Sequence, residues 1–168
     1  MKVIYVDPEK CTGCKVCEMV CSLYHENQVN PSKARIYVMT NEQEGIDIPV
    51  ICQQCEDPPC EKVCPTHAIY RDKSTGAKLI NEKACIGCRM CINACPFGAP
   101  SVRGDTGEVI KCDLCMGEPL CVEFCEPKAL QFIPATRAAM QKKRASAQKY
   151  SDSIKAAESI AGSQSPNR

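Results

Sequence analysis

Tryptophan is absent, and three phenylalanines and five tyrosines bring the aromatic share to only 5% of 168 residues. Aromatic side chains supply the largest buried areas, so a conventional core of ordinary size is excluded and another centre must organise the fold. Long apolar runs are also absent. Met1-Lys2 leads into Val3-Ile4-Tyr5-Val6, but Asp7-Pro8-Glu9-Lys10 ends that run well short of a secretory h-region. The expectation is a cytoplasmic chain with no signal peptide and no membrane span. Finally, no cysteine stands alone: all sixteen fall into four runs of four.

The runs are Cys11-x2-Cys14-x2-Cys17-x3-Cys21, Cys52-x2-Cys55-x4-Cys60-x3-Cys64, Cys85-x2-Cys88-x2-Cys91-x3-Cys95-Pro96 and Cys112-x2-Cys115-x5-Cys121-x3-Cys125. The first and third have the bacterial ferredoxin spacing, in which three close thiolates wrap one cube and the fourth ligates the other cube of a pair. Four such runs imply four 4Fe-4S clusters. A disulfide scaffold needs no such repeated rhythm and fits a short secreted chain better than this one. Zinc is the stronger rival, since Cys-x2-Cys pairs build zinc sites, but those use paired spacings without a distal fourth sulfur. No run is short of a ligand, so no iron is left open to bind substrate. Closed cubes support one-electron transfer rather than bond rearrangement, and the chain is expected to be non-catalytic.

An internal repeat is visible: Val6-Asp7-Pro8-Glu9-Lys10-Cys11-Thr12-Gly13-Cys14-Lys15-Val16-Cys17 echoes Ile80-Asn81-Glu82-Lys83-Ala84-Cys85-Ile86-Gly87-Cys88-Arg89-Met90-Cys91. Gly13 and Gly87 sit between the first two ligands, where a side chain would crowd a cube or a strained torsion is needed. Short β-branched segments at 3–6, 35–39, 46–51, 68–71, 78–80 and 108–110, with turns at 72–76 and 104–107, predict hairpins. Short helical turns should end at each distal cysteine. The fold expected is α+β: two nested bacterial-ferredoxin-like units and a C-terminal helical tail. Residues 1–134 form the four-cluster domain, with an inner unit at about 50–100 and an outer unit from the flanking segments. A basic, alanine-rich helix follows over 135–161, and 162–168 is expected to be disordered.

These residues resemble the four-cluster electron-transfer subunits of molybdenum and tungsten enzymes, the dimethyl sulfoxide reductase beta-subunit type, which also serve formate dehydrogenases and hydrogenase-linked complexes. The marks are the x4 and x5 loops with Pro58-Pro59 and Glu118-Pro119 before the third ligand, together with Lys111-Cys112-Asp113-Leu114-Cys115. The compact size and the segment from Cys21 through Ser22-Leu23-Tyr24-His25-Glu26 to Asn30-Pro31 look most like the small subunits of tungsten aldehyde oxidoreductases and ATP-independent benzoyl-CoA reductases. The resemblance implies four ligand sets: Cys11, Cys14, Cys17 and Cys125; Cys112, Cys115, Cys121 and Cys21; Cys85, Cys88, Cys91 and Cys64; and Cys52, Cys55, Cys60 and Cys95. It also implies a tungsten- or molybdenum-pterin catalytic partner and a second redox partner in an anaerobic oxidoreductase complex. A free polyferredoxin carrier is the alternative. One departure from the pattern is that Cys125 is followed by Glu126-Pro127 rather than directly by proline.

The formal charge of +1 treats the thiols as neutral. Four oxidised cubes with their thiolates add about −8, which argues against nucleic acid as a partner. From residue 135 onward, Arg137, Lys142, Lys143, Arg144, Lys149, Lys155 and Arg168 outnumber Asp152 and Glu158. Ala147, Tyr150, Ile154, Ala157 and Ala161 form a narrow stripe there. Two readings of this tail stand: a helix lying on its own domain, or an arm that docks the partner or a second copy of the chain. His25 and His67 find no vacancy among sixteen thiols. Asp7, Glu9, Glu18, Glu56, Asp57 and Glu61 crowd the runs, either lowering cluster potentials or simply solvating the surface.

Overall fold

Each cysteine run opens into a strand pair, and this rhythm builds the chain. A computed structural model describes residues 1–42 and 45–136. After the first run, β2 (Ile36–Asn41) pairs antiparallel with β3 (Ile46–Ile51), placing Ile36 opposite Ile51. After the second, β4 (Ile69–Arg71) pairs with β5 (Lys78–Ile80), and after the third, β6 (Ser101–Val102) with β7 (Val109–Ile110). The fourth run is followed by β8 (Leu130–Pro134), whose partner is β1 (Lys2–Val6), with Val3 opposite Ile133. The first and last described strands thus lie side by side.

The hairpins β4–β5 and β6–β7 close with the same geometry. Gly76 and Gly107 take φ of +75° and +74°, and their N–H groups bond back to the carbonyls of Asp72 and Arg103. Asp72 completes its turn by accepting from the N–H and hydroxyl groups of both Ser74 and Thr75. These bonds, the Ser74 hydroxyl foremost, hold its carboxyl down at about 2.

Four helices carry the third thiol of each run at their second residue: Cys17 in α1 (Val16–Glu26), Cys60 in α2 (Pro59–Lys62), Cys91 in α3 (Met90–Asn93) and Cys121 in α4 (Leu120–Glu123). The sequence predicts short turns here, and α2 to α4 are single turns. Helix α1 instead runs on past its distal Cys21 to Glu26. The reason is local. Pro65, Pro96 and Pro127 follow the other distal cysteines and stop the helix, whereas Cys21 is followed by Ser22-Leu23-Tyr24. Asn27, left-handed at φ 52°, caps the longer helix.

The apolar core is shared with the cysteines. Ile4, Ile36, Ile51, Leu114 and Leu130 pack in one cluster with Cys21, Cys52, Cys112 and Cys121, while Ile69 and Val109 pack with Cys60 and Cys91. Strands β6 and β8 are not among the segments expected from sequence. The expected tail helix and disordered end lie outside the described residues from 137 onward.

Gly13 and Gly87 share a φ of +67° but differ in their surroundings. A Cβ on Gly13 would run into the Asp47 carboxylate, whereas one on Gly87 would meet open space. Both alanine variants pay for left-handed backbone, about 1 kcal/mol or more. Gly13→Ala should therefore be the more destabilising in thermal unfolding of the loaded protein; equal losses would place the whole effect in the backbone.

Candidate metal centres

The residue before the second thiol is left-handed in all four runs: Gly13 (φ +67°), Gln54 (+50°), Gly87 (+67°) and Leu114 (+63°). Sequence comparison shows the repeat only in runs one and three, because glycine marks the position there. Side chains that fill buried space hold the same torsion in the other two. Gln54 and Leu114 are each 1% exposed, and Gln54 accepts from the Lys78 N–H (2.7 Å) while donating to the Cys112 carbonyl (3.0 Å). A second repeat follows the distal thiols. His67, Gly98 and Lys128, each three residues on, are left-handed and donate N–H to the carbonyls of Cys64, Cys95 and Cys125. This turn position accounts for the backbone of His67.

Backbone amides also reach the sulfurs directly. Arg35, Ala68, Leu114 and Leu130 donate to the Sγ atoms of Cys21, Cys64, Cys112 and Cys125 at 3.2–3.4 Å. Three of these four acceptors are distal cysteines. Such donors favour the reduced form of a cluster.

The thiols sit close to one another and mostly away from water; among the sixteen only Cys14 and Cys88 are exposed. Burial, the largest influence, pushes Cys17 up to about 12, followed by the adjacent Glu18 carboxylate, with Cys11 and Cys14 adding to it. Cys21 rises to about 11, mainly by burial and also through Cys115. Cys60 rises to about 11 by burial, then Cys52, with Cys95 and Cys55 also contributing. Cys11 is raised by burial, and Asp47, Cys14 and Cys125 push the same way. Cys91 is raised by burial and by Cys85 and Cys88. Cys121 lies well above the ordinary thiol value through burial and the charges of Cys112, Cys115, Cys21 and Cys17, and Cys112 through burial and Cys52. At Cys64 burial again acts upward, but bonds from Thr66, Ala68 and Ile69 outweigh it and lower the thiol.

So many crowded sulfurs can ionise together only around compensating cations, and this donor set fits iron-sulfur cubes. One hollow is lined by Cys64, Cys85, Cys88 and Cys91 with Ile69, Ile80, Ile86 and Val109.

His25 enters the neighbourhood that the sequence denies it as a ligand. Its Nε2 lies 3.5 Å from Asp113 Oδ1 and 4.0 Å from Cys115 Sγ. Burial and then Arg35 lower its pKa, so it faces the sulfur as a neutral ring. Asp113 is already engaged by Arg35 at 2.7 Å and by the Cys115 N–H at 2.9 Å. Of the acidic residues flanking the runs, Glu18 is 5% exposed and accepts from the Val38 N–H, tying α1 to β2. Asp7 and Asp57 pair with Lys10 and Lys62, and Glu61 pairs with the buried Lys78. Sequence reasoning overlooked the burial of Lys78 and Lys111, which no periodic pattern signals.

Sixteen thiols on four ferredoxin-type seats define an iron-sulfur protein of the multi-cluster ferredoxin class. The chain belongs to the 4Fe-4S dicluster domain family, which matches residues 43–135; a 4Fe-4S binding domain matches residues 2–23. It is 46% identical over 122 residues to the polyferredoxin-like subunit of an aliphatic sulfonate oxidoreductase from Pyrococcus furiosus, covering 73% of this chain and 70% of that one. It is 37% identical over 148 residues to the B subunit of the anaerobic dimethyl sulfoxide reductase of Escherichia coli, covering 77% and 72%. Among solved structures, the active-site complex of benzoyl-coenzyme A reductase with benzoyl-CoA aligns with a TM-score of 0.47 at 26% identity, over 79% of this chain and 78% of that one. The protein's cofactors are 4Fe-4S clusters, and sixteen cysteines supply ligands for four. Among the described residues no helix is long and apolar enough to cross a membrane.

Proposed function

We propose that this chain is the non-catalytic electron-transfer subunit of an oxidoreductase complex, relaying single electrons through four clusters between a tungsten- or molybdenum-pterin subunit and a second redox partner. Its relatives are named as subunits of such oxidoreductases. The ligand sets proposed are Cys11, Cys14, Cys17 and Cys125; Cys112, Cys115, Cys121 and Cys21; Cys52, Cys55, Cys60 and Cys95; and Cys85, Cys88, Cys91 and Cys64. The mutual influence of thiols within each of the first three sets supports them, and the shared hollow supports the fourth.

The observation that carries the relay is the way these sets adjoin. Cys17 acts on Cys121, Cys52 acts on Cys112, and Cys60 packs in one cluster with Cys91. In that order the sets form a line, and the two exposed thiols, Cys14 and Cys88, belong to its two ends. Electrons would enter and leave where the sulfurs reach the surface, with the middle sealed. The pairing of β1 with β8 and the single hairpin between runs two and three support one ferredoxin unit nested inside another.

Anaerobic purification from the native host should yield a stoichiometric complex with a catalytic subunit containing tungsten or molybdenum. An isolated four-cluster monomer at native expression would instead make the chain a diffusing carrier.

A further inference from the structure

One buried cation lies where the line of clusters crosses from one inner set to the other. Lys111 immediately precedes Cys112 and is 3% exposed. Its ammonium donates to the Cys112 carbonyl at 3.2 Å and to the Lys78 carbonyl. Among the described residues no carboxylate lies within ion-pairing distance of it, whereas the neighbouring buried Lys78 has Glu61. Gln54 bonds both the Lys78 N–H and the Cys112 carbonyl, so the two strands that present oxygens to Lys111 are tied together. The positive charge acts on Cys112 of one inner set and on Cys60 of the other.

An ammonium held away from water without a counter-charge is costly, and two carbonyls do not neutralise it. Two oxidised cubes, each about −2 with its thiolates, do. We propose that Lys111 is the shared counter-ion of the two inner clusters and raises the reduction potential of both. This rests on the ligand sets proposed above. Each inner cube accepts one electron from its neighbour and passes from about −2 to about −3, a step that a fixed nearby positive charge favours. Dry, sulfur-rich surroundings by themselves oppose that added charge. Lys111 thereby keeps the middle of the line reducible.

The test uses the full chain, loaded anaerobically, with Lys111→Gln and Lys111→Met as neutral replacements and Lys111→Arg as the charge-retaining control. Iron and sulfide content is measured first, then the four potentials by redox titration followed by electron paramagnetic resonance. Both neutral variants should hold the iron of the parent and lower the reduction equilibrium constant of two clusters at least tenfold, about 59 mV for one electron. The other two clusters should stay within about twofold, and Lys111→Arg should match the parent. No shift, an equal shift of all four, or a shift at any other number of clusters overturns the proposal. Loss of iron from both neutral variants also overturns it, assigning Lys111 to holding the chain together. A parent chain that never holds four cubes sinks the ligand reading instead.

Discussion

Stripping iron and sulfide from the protein should unfold it. Few large aliphatic side chains are fully buried, and the two clusters they form with cysteines have sulfur among their members. Without iron, Cys17, Cys21 and Cys60 titrate only near 11 to 12. At neutral pH the metal-free interior therefore holds protonated thiols around hollows that apolar groups do not fill. Metal-ligand bonds in small structural sites supply on the order of 10 kcal/mol, comparable to the whole stability of a domain. Chelation under reducing, anaerobic conditions should abolish the cooperative thermal transition and most of the far-ultraviolet circular dichroism, and iron with sulfide should restore both. A chelated chain that keeps a cooperative transition would show that the strands fold by themselves.

The second large effect concerns distal ligands. Cys125 lies in run four, yet its charge acts on Cys11, and β8 just beyond it pairs with β1 just before run one. Cys125→Ser should damage the cluster of run one. Combined variants make this sharp. Adding Cys14→Ser to Cys125→Ser should cost no more iron than one cube, about four atoms, because both serve the same cluster. Adding Cys115→Ser instead should cost two cubes, about eight atoms. Non-additivity of this kind is the signature of groups acting in one unit. If the Cys125/Cys115 pair loses a single cube and the Cys125/Cys14 pair loses two, the distal ligands stay within their own runs.

The thiols, their rhythm and most hairpins were legible in the sequence because each is a local signal: ligand spacing, β-branched runs and glycine-bearing turns. What escaped depends on distant partners. β8 is a strand because β1 offers its edge across nearly the whole described chain, and no turn signal joins the two. The left-handed torsions at Gln54 and Leu114 were hidden because tertiary packing overrides the preference for glycine. The length of α1 was readable in hindsight from the missing proline after Cys21. Lys111 stood in a recognised motif, but its burial between two sulfur sets is a property of the folded chain alone.

The difference between glycine and larger side chains at the left-handed position separates two kinds of mechanical seat. Runs one and three, which carry the exposed Cys14 and Cys88, have glycine there; runs two and four have Gln54 and Leu114 locked into the interior. Glycine leaves a joint compliant, while a packed side chain makes it stiff. The surface-facing runs can therefore yield to the contour of whatever docks against them. The interior runs hold their sulfurs fixed, so that the distances an electron must tunnel through the middle do not drift as the ends adapt.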